Sequence, residues 1–363
     1  MHNVSIGVDL HKHQLTVCFF SGTDAYHSKY ATDKDGLNKF KSDVKSFIDK
    51  GFHVRVAVES TGNTRYFCNE IAALGVETFI VNTLKFKVVN ESVNKTDKRD
   101  AKVIAEFLHK DMLPLVKLTS EKSENLRQLI SIRKDLVRTR VRLKNKIHGI
   151  LLSAGIETKA GQLNSQKGLA KILADLGGSD KKVLINRIIK SIEVLTVEIK
   201  AVENELIEMT ENSRAVEILQ SIPGTGLITA ATIAGYIDDI QRFSHYNKFS
   251  AYCGLVPWVQ CSDETKHYGK ITKRGPIELR TAIIQMVMGM VRCKDEKNNR
   301  LMTAYRNLKK HKGSGKAIVA TARKLTKIIW TMLTNDEEYK KDKVNKICDD
   351  IHNGLPDQNK GAA

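Results

Sequence analysis

Four carboxylates in this chain stand where acids have little structural purpose. Asp97 and Asp100 lie three residues apart in Lys95-Thr96-Asp97-Lys98-Arg99-Asp100-Ala101, which runs straight into the helical pattern Val103-Ile104-Ala105-Glu106-Phe107-Leu108. Acids at that spacing project from one face of a helix, close enough to hold the same cation. Asp9 closes the β-rich run Val4-Ser5-Ile6-Gly7-Val8, and Glu59 closes Val54-Arg55-Val56-Ala57-Val58. Any one of these acids taken singly reads first as a solvated charge or a helix cap, and Lys95, Lys98, Arg99 and Lys102 offer the aspartates ion-pair partners. As a set, two strand ends and one helical turn suit hard divalent cations, which prefer oxygen ligands.

The elements that must position the acids read as an α/β unit over residues 1 to about 115, because short β-rich runs alternate with helical ones. Leu15-Thr16-Val17-Cys18-Phe19-Phe20 follows the first strand closely enough to be its hairpin partner. A helix is expected over roughly 35 to 49, then the strand ending at Glu59. Ser60-Thr61-Gly62-Asn63 reads as a turn able to cap a helix carrying Tyr66, Phe67, Ile71 and Leu74, which Gly75 ends before the strand Val76 to Val81. His11 and His13 near the first strand end suggest nitrogen ligands only weakly, since no third partner stands at a recognisable spacing.

From about 121 the chain turns to long, charged helices. Leu129, Leu136, Leu143 and Ile150 recur every seventh residue through an Arg- and Lys-rich segment, which predicts one packed stripe and a basic remainder. Ile185, Ile188, Ile192, Leu195, Ile199, Val202, Leu206 and Met209 alternate spacings of three and four, a coiled-coil seam. The two helices can pair as a hairpin or with a second subunit. Beyond 214, Ile222-Pro223-Gly224-Thr225-Gly226 joins two helical runs as a tight turn, and Gly224 and Gly226 leave backbone N–H groups free for a phosphate. Lys270, Lys273, Arg274 and Arg280 follow a β-like stretch. Lys312-Gly313-Ser314-Gly315-Lys316 lacks the leading glycine and the Ser or Thr of a phosphate loop and reads as a flexible basic turn. The charged tail after 335 is expected to fray.

The charge balance of 59 Lys and Arg against 41 Asp and Glu gives +18 and a pI near 9.5, which points to a polyanionic partner, nucleic acid before a membrane surface. No apolar stretch is long enough for a bilayer and no signal-peptide pattern is present, so a cytoplasmic protein is expected. Cys18, Cys68, Cys253, Cys261, Cys293 and Cys348 form no C-x-x-C pair, which argues against a zinc site and a disulfide framework and for reduced, mostly buried thiols.

In this order the motifs resemble those of the DEDD transposases of bacterial insertion sequences, the IS110 family, with which Piv-type DNA invertases are grouped. Gly7-Val8-Asp9-Leu10-His11-Lys12 is similar to the family's opening strand, Val58-Glu59-Ser60-Thr61-Gly62 to its second acidic motif, and Lys95 to Ala101 to its paired aspartates. In the C-terminal half, Ile222 to Gly226 with Thr229-Ala230 resembles a helix-hairpin-helix-like signature. Tyr252-Cys253-Gly254-Leu255-Val256-Pro257 resembles the Gly-Leu-x-Pro motif, and Ile271-Thr272-Lys273-Arg274-Gly275 with Leu279-Arg280 the basic motif.

The resemblance implies an α/β plus all-α architecture: a RuvC-like (ribonuclease H fold) domain over 1–118, coiled-coil helices over 119–212, a helical transposase domain over 213–335 and a charged tail over 336–363. It implies Mg²⁺ held by Asp9, Glu59, Asp97 and Asp100, a serine nucleophile, and DNA strands cut and rejoined under direction of a bridge RNA that pairs with donor and target DNA. The family's serine lies shortly after the Gly-Leu-x-Pro motif and usually precedes two glycines. Ser262 holds the position but is followed by Asp263 and Glu264, so Ser250 remains the second candidate. Homodimers assembling into tetramers are expected. A hydrolytic junction-resolving nuclease and a site-specific invertase of the Piv type are the alternative activities.

Overall fold

A computed structural model of the chain describes residues 3–83, 85–86, 96–159, 161–177, 180–262, 265–293 and 299–353. These residues divide into two compact units, Met1–Thr119 and Ser120–Ala363. The acids of interest lie in the first and the serines in the second.

In the first unit the strands are β1 (Asn3–Leu10), β2 (Gln14–Phe20), β3 (Ala25–Ala31), β4 (His53–Glu59), β5 (Glu77–Val81) and β6 (Leu115–Val116), in the sheet order β3-β2-β1-β4-β5-β6. β1 pairs antiparallel with β2 and parallel with β4, which pairs parallel with β5. The helices are α1 (Lys34–Asp49), α2 (Thr64–Ala72) and α3 (Asp97–His109). Side chains alternate across a strand, and here both faces are covered. Val4, Ile6 and Val8 of β1 and Val54, Val56 and Val58 of β4 pack on Leu37, Phe40 and Val44 of α1 and Phe67 and Ile71 of α2. On the opposite face, Ala57 of β4 packs on Ile104 and Leu108 of α3, and Cys18 and Phe20 of β2 pack on Ala101 and Ala105. A sheet covered on both faces needs apolar or small residues on both sides of its central strands, and β1 turns Val4, Ile6 and Val8 to α1 and α2 and the small Ser5 and Gly7 to α3.

The second unit starts with α4 (Glu121–Leu152), α5 (Gln166–Asp175) and α6 (Asp180–Thr210). α4 and α6 lie antiparallel within one chain. Leu126 and Ile130 near the start of α4 cluster with Val202 and Leu206 near the end of α6, while Ile147 and Leu151 cluster with Ile185 and Ile189. The expected stripe of α4 is only partly buried; the fully covered positions are its neighbours Leu126, Ile130, Ile147 and Leu151. A straight helix has 3.6 residues per turn, so a strict seventh-residue stripe drifts around it. Asp238 ties the start of α4 down, accepting from Ser123 Oγ at 2.7 Å and from the Ser120 backbone at 3.0 Å.

Then follow α7 (Arg214–Gln220), α8 (Leu227–Ile237), α9 (Tyr246–Tyr252), the hairpin of β7 (Pro257–Ser262) and β8 (Thr265–Ile271), α10 (Ile277–Arg292), α11 (Arg300–Thr334) and α12 (Lys341–Asn353). Their core joins Leu219, Ile233, Phe249, Ile283, Met286, Leu325 and Ile329. One expectation holds in part and one changes here. The basic turn expected over Lys312 to Lys316 shrinks to Gly313, whose φ 75°, ψ 166° breaks α11 into two helical stretches across a kink. The tail does not fray from 335, because Val344 and Cys348, one helical turn apart on α12, are buried against the core. Among the described residues no helix is long and apolar enough to cross a membrane. Cys18, Cys68, Cys253 and Cys348 are buried free thiols, as expected.

Candidate active site

The face of the sheet that meets α3 carries the odd-numbered side of β1. Ser5 Oγ lies 3.4 Å from His109 Nδ1, and Gly7 lies under α3 so closely that a Cβ there would stand 2.1 Å from the Ala101 carbonyl oxygen and 2.5 Å from the Ala105 nitrogen. Asp9 follows on the same side and is 7% exposed. In β4 the matching side carries Arg55, which donates to the Leu108 carbonyl at 3.0 Å, then Ala57, then Glu59. Gly7 pairs with Ala57 and Val8 with Val58, so Asp9 and Glu59 end adjacent parallel strands on one face. The glycine and the two alanines let a helix approach backbone to backbone, and that approach brings the start of α3 over the strand ends.

Asp97 opens α3 after Thr96, whose hydroxyl accepts from the Arg99 backbone at 3.3 Å. Asp97 and Asp100 stand in the first helical turn, where the macrodipole favours negative charge. Asp9, His11 and Asp97 come together, with one ligand atom of each within 4.8 Å of the others. Burial raises the Asp9 carboxyl above its ordinary value and the charges of Asp97 and Asp100 raise it further, while His11 works in the opposite direction. Two acids, Asp97 and Asp100, facing the buried Asp9 carboxylate are a donor set that a divalent cation would relieve, so these residues fit a metal. Glu59 is outside the tight trio but is placed by its own loop. The Thr64 hydroxyl donates to the Glu59 carbonyl at 2.9 Å and accepts from the Thr61 backbone at 2.7 Å. The expected side-chain cap from the Ser60–Asn63 stretch does not form: Asn63 stands at the N-cap of α2 without a capping hydrogen bond, and the Thr64 hydroxyl instead ties the loop to the end of β4.

In the second unit, Ser262 ends β7 opposite Thr265 of β8, and Asp263 and Glu264 lie outside the described residues. Ser250 is 2% exposed and hydrogen-bonded to the Thr326 hydroxyl. Thr326 spends its own proton on the Arg323 carbonyl at 2.7 Å, so Ser250 is the donor in that pair. Lys270, Lys273 and Arg274 are exposed. Arg280 is 9% exposed and its Nη1 donates to the Lys273 carbonyl at 3.2 Å, bracing the turn in which Lys273 takes a φ of 53°. Gly224, at φ 78°, touches the backbone of Gly289 on α10, and a Cβ there would lie 2.5 Å from the Gly289 carbonyl carbon. Gly226 precedes α8 without a capping side chain.

Two features of the site escaped sequence reasoning. One is the Gly7, Ala101 and Ala105 contact, whose signal is a glycine within an apolar strand and alanines four residues apart on a helix. The other is His11, which sequence spacing could not join to a partner 86 positions away.

Comparison with known proteins finds transposases. Residues 6–156, which hold all four acids, match a family model described as Transposase, of the DEDD IS110 type. Residues 216–303, which hold both serines and the basic turn, match one described as Transposase IS116/IS110/IS902 family. The chain is 28% identical over 342 residues to "Transposase for insertion sequence element IS1111A" of Coxiella burnetii, covering 92% of this chain and 91% of that protein. It is 25% identical to "Probable family 20 transposase" of Pseudomonas aeruginosa, over 83% of this chain and 90% of that one. It is 26% identical to "Transposase for insertion sequence element IS1328" of Yersinia enterocolitica, over 79% and 85%. With both family models matched in order along most of its length, and with relatives spanning nearly all of it, the chain belongs to the IS110 family of transposases.

Proposed function

We propose that the protein is a DNA recombinase of RuvC-like type that cuts and rejoins the strands of an insertion sequence through Ser262, with Mg²⁺ held by Asp9, Glu59, Asp97 and Asp100. The observation that carries this reading is the gathering of acids from the C-terminal ends of the central strands β1 and β4 and the first turn of α3, where Asp9 is held buried among like charges. A divalent cation bound there would neutralise charge on the scissile phosphate and its flanking oxygens. The Ser262 hydroxyl attacks the phosphorus and gives up its proton. A P–Oγ bond forms as a P–O bond to deoxyribose breaks, and the departing sugar oxygen takes a proton. The covalent intermediate keeps the phosphodiester energy for rejoining. The core position of Ser250 favours Ser262 as the nucleophile.

Lys270, Lys273 and Arg274 serve as phosphate contacts on an exposed turn, and Arg280 holds that turn in place. Gly224 and Gly226 present the start of α8 to a second phosphate. A bridge RNA pairing with donor and target DNA, and homodimers assembling into tetramers through the coiled-coil helices, complete the reading. The net charge of +18 suits so much nucleic acid.

A trapping assay tests the chemistry: protein, Mg²⁺, labelled donor DNA and the element's candidate bridge RNA, run on a denaturing gel beside Ser262→Ala. A protein–DNA band lost in the variant is expected. Free cleaved DNA without an adduct in either protein would replace this reading with a hydrolytic, junction-resolving nuclease. Inversion of a flanked segment without excision would mark a Piv-type invertase.

A further inference from the structure

His11 stands in the loop that joins β1 to β2, two residues past Asp9. Its Nε2 lies 3.2 Å from Asp9 Oδ2 and 3.8 Å from Asp97 Oδ1, so one nitrogen faces both carboxylates. The loop is fixed from two sides: the His11 backbone N–H donates to Gln14 O at 2.9 Å, and its carbonyl accepts from Asn63 Nδ2 at 3.4 Å. Asn63 belongs to the loop that follows Glu59, so the segments bearing Asp9, His11 and Glu59 are tied together. His11 is about half exposed while Asp9 is buried, which leaves the imidazole on the side open to solvent and to an incoming ion. His13 has no place in this group.

An all-oxygen set suits Mg²⁺, which is small, holds its water and discriminates against nitrogen. Imidazole is a borderline donor that first-row transition ions accept readily. Resting on the proposal that these acids bind a metal, we propose that His11 is a nitrogen ligand of that site and tilts it from Mg²⁺ towards transition ions such as Mn²⁺. The loss of even an outer-shell partner of a metal ligand costs about 10- to 100-fold in affinity, so removing a direct ligand costs at least that. Mg²⁺, which gains little from the imidazole, is expected to change by less than about twofold on the same substitution.

The test is electron paramagnetic resonance of Mn²⁺ titrated into the full-length, untagged protein, with Mg²⁺ competition, for the natural sequence, His11→Gln and Asp9→Asn. Far-UV circular dichroism checks that the variants are folded. The expected result is Mn²⁺ bound in preference to Mg²⁺, with a ¹⁴N modulation in the pulsed spectrum. In His11→Gln the modulation disappears and Mn²⁺ affinity falls at least tenfold. Mn²⁺ bound and lost in Asp9→Asn, but with no ¹⁴N signal and unchanged affinity in His11→Gln, overturns the role of His11 and leaves the acidic site standing. Absence of Mn²⁺ and Mg²⁺ binding by the natural sequence overturns both.

Discussion

Gly7→Ala isolates the contact that assembles the acids. The added Cβ would meet the Ala101 carbonyl oxygen at 2.1 Å, against the 3.4 Å at which ordinary contact begins, so α3 must retreat by about 1.3 Å or the strand must bend. Both partners are backbone, and no rotamer change relieves the clash. Overpacking of this kind costs about 1–3 kcal/mol, and the expected outcome is a lower melting temperature for the first unit. The same retreat carries Asp97 and Asp100 away from Asp9. Metal–oxygen bonds are near 2.1 Å, and a misplacement of about 1 Å costs on the order of 10²-fold in rate. Differential scanning fluorimetry reads the first effect, and Mn²⁺ titration with the strand-cleavage assay the second. Gly149→Ala in α4 is the control. Nothing lies within 4 Å of its Cβ position, so it is expected to stabilise by up to about 1 kcal/mol through helix propensity. If Gly7→Ala behaves as Gly149→Ala does, with unchanged metal binding, the close approach of α3 to β1 does not assemble the site.

Three further outcomes are expected. The Asp9 carboxyl is raised by burial, so its protonated form favours the folded state. That contribution is full below the ordinary 3.8 and is lost as pH rises through the folded value. Metal-free Asp9→Asn should therefore melt above the natural sequence at neutral pH and gain nothing from added Mn²⁺. Ser250→Ala, which leaves Thr326 without its donor, should lose about 0.5–1.5 kcal/mol of stability in denaturant unfolding while still forming the covalent DNA adduct. Lys273→Ala and Arg274→Ala should each reduce the slope of log affinity for duplex DNA against log salt by about 1, measured by fluorescence anisotropy, with little effect on melting.

Much of this protein is legible along the chain because its signals are local. A hairpin of two β-rich runs, an amphipathic helix after Asp33, a strand ending at Glu59 and aspartates three apart after a capping Thr96 all follow from near-neighbour propensity and period. The heptads announced two long helices, and period-two alternation placed Asp9 and Glu59 at comparable strand ends. β3, with Ala-Tyr-His-Ser-Lys-Tyr-Ala, gives no such signal. It is an edge strand whose order comes from seven register partners on β2. The tail departs from its local composition for the converse reason: burial of Leu325, Val344 and Cys348 in one core holds helix where charge favours disorder. What only tertiary structure decided is which groups meet. Parallel pairing of β1 with β4 sets Asp9 beside Glu59, and a side-chain-free glycine admits α3 over them, bringing Asp97 and His11 within reach of one ion. The same holds for the serines, since the sequence ranks Ser262 first by its place after the Gly-Leu-x-Pro motif but leaves Ser250 as a second candidate. It takes the packing of α9 on α11 to turn one into a core hydrogen-bond donor, and the hairpin to place the other at the end of β7, opposite Thr265.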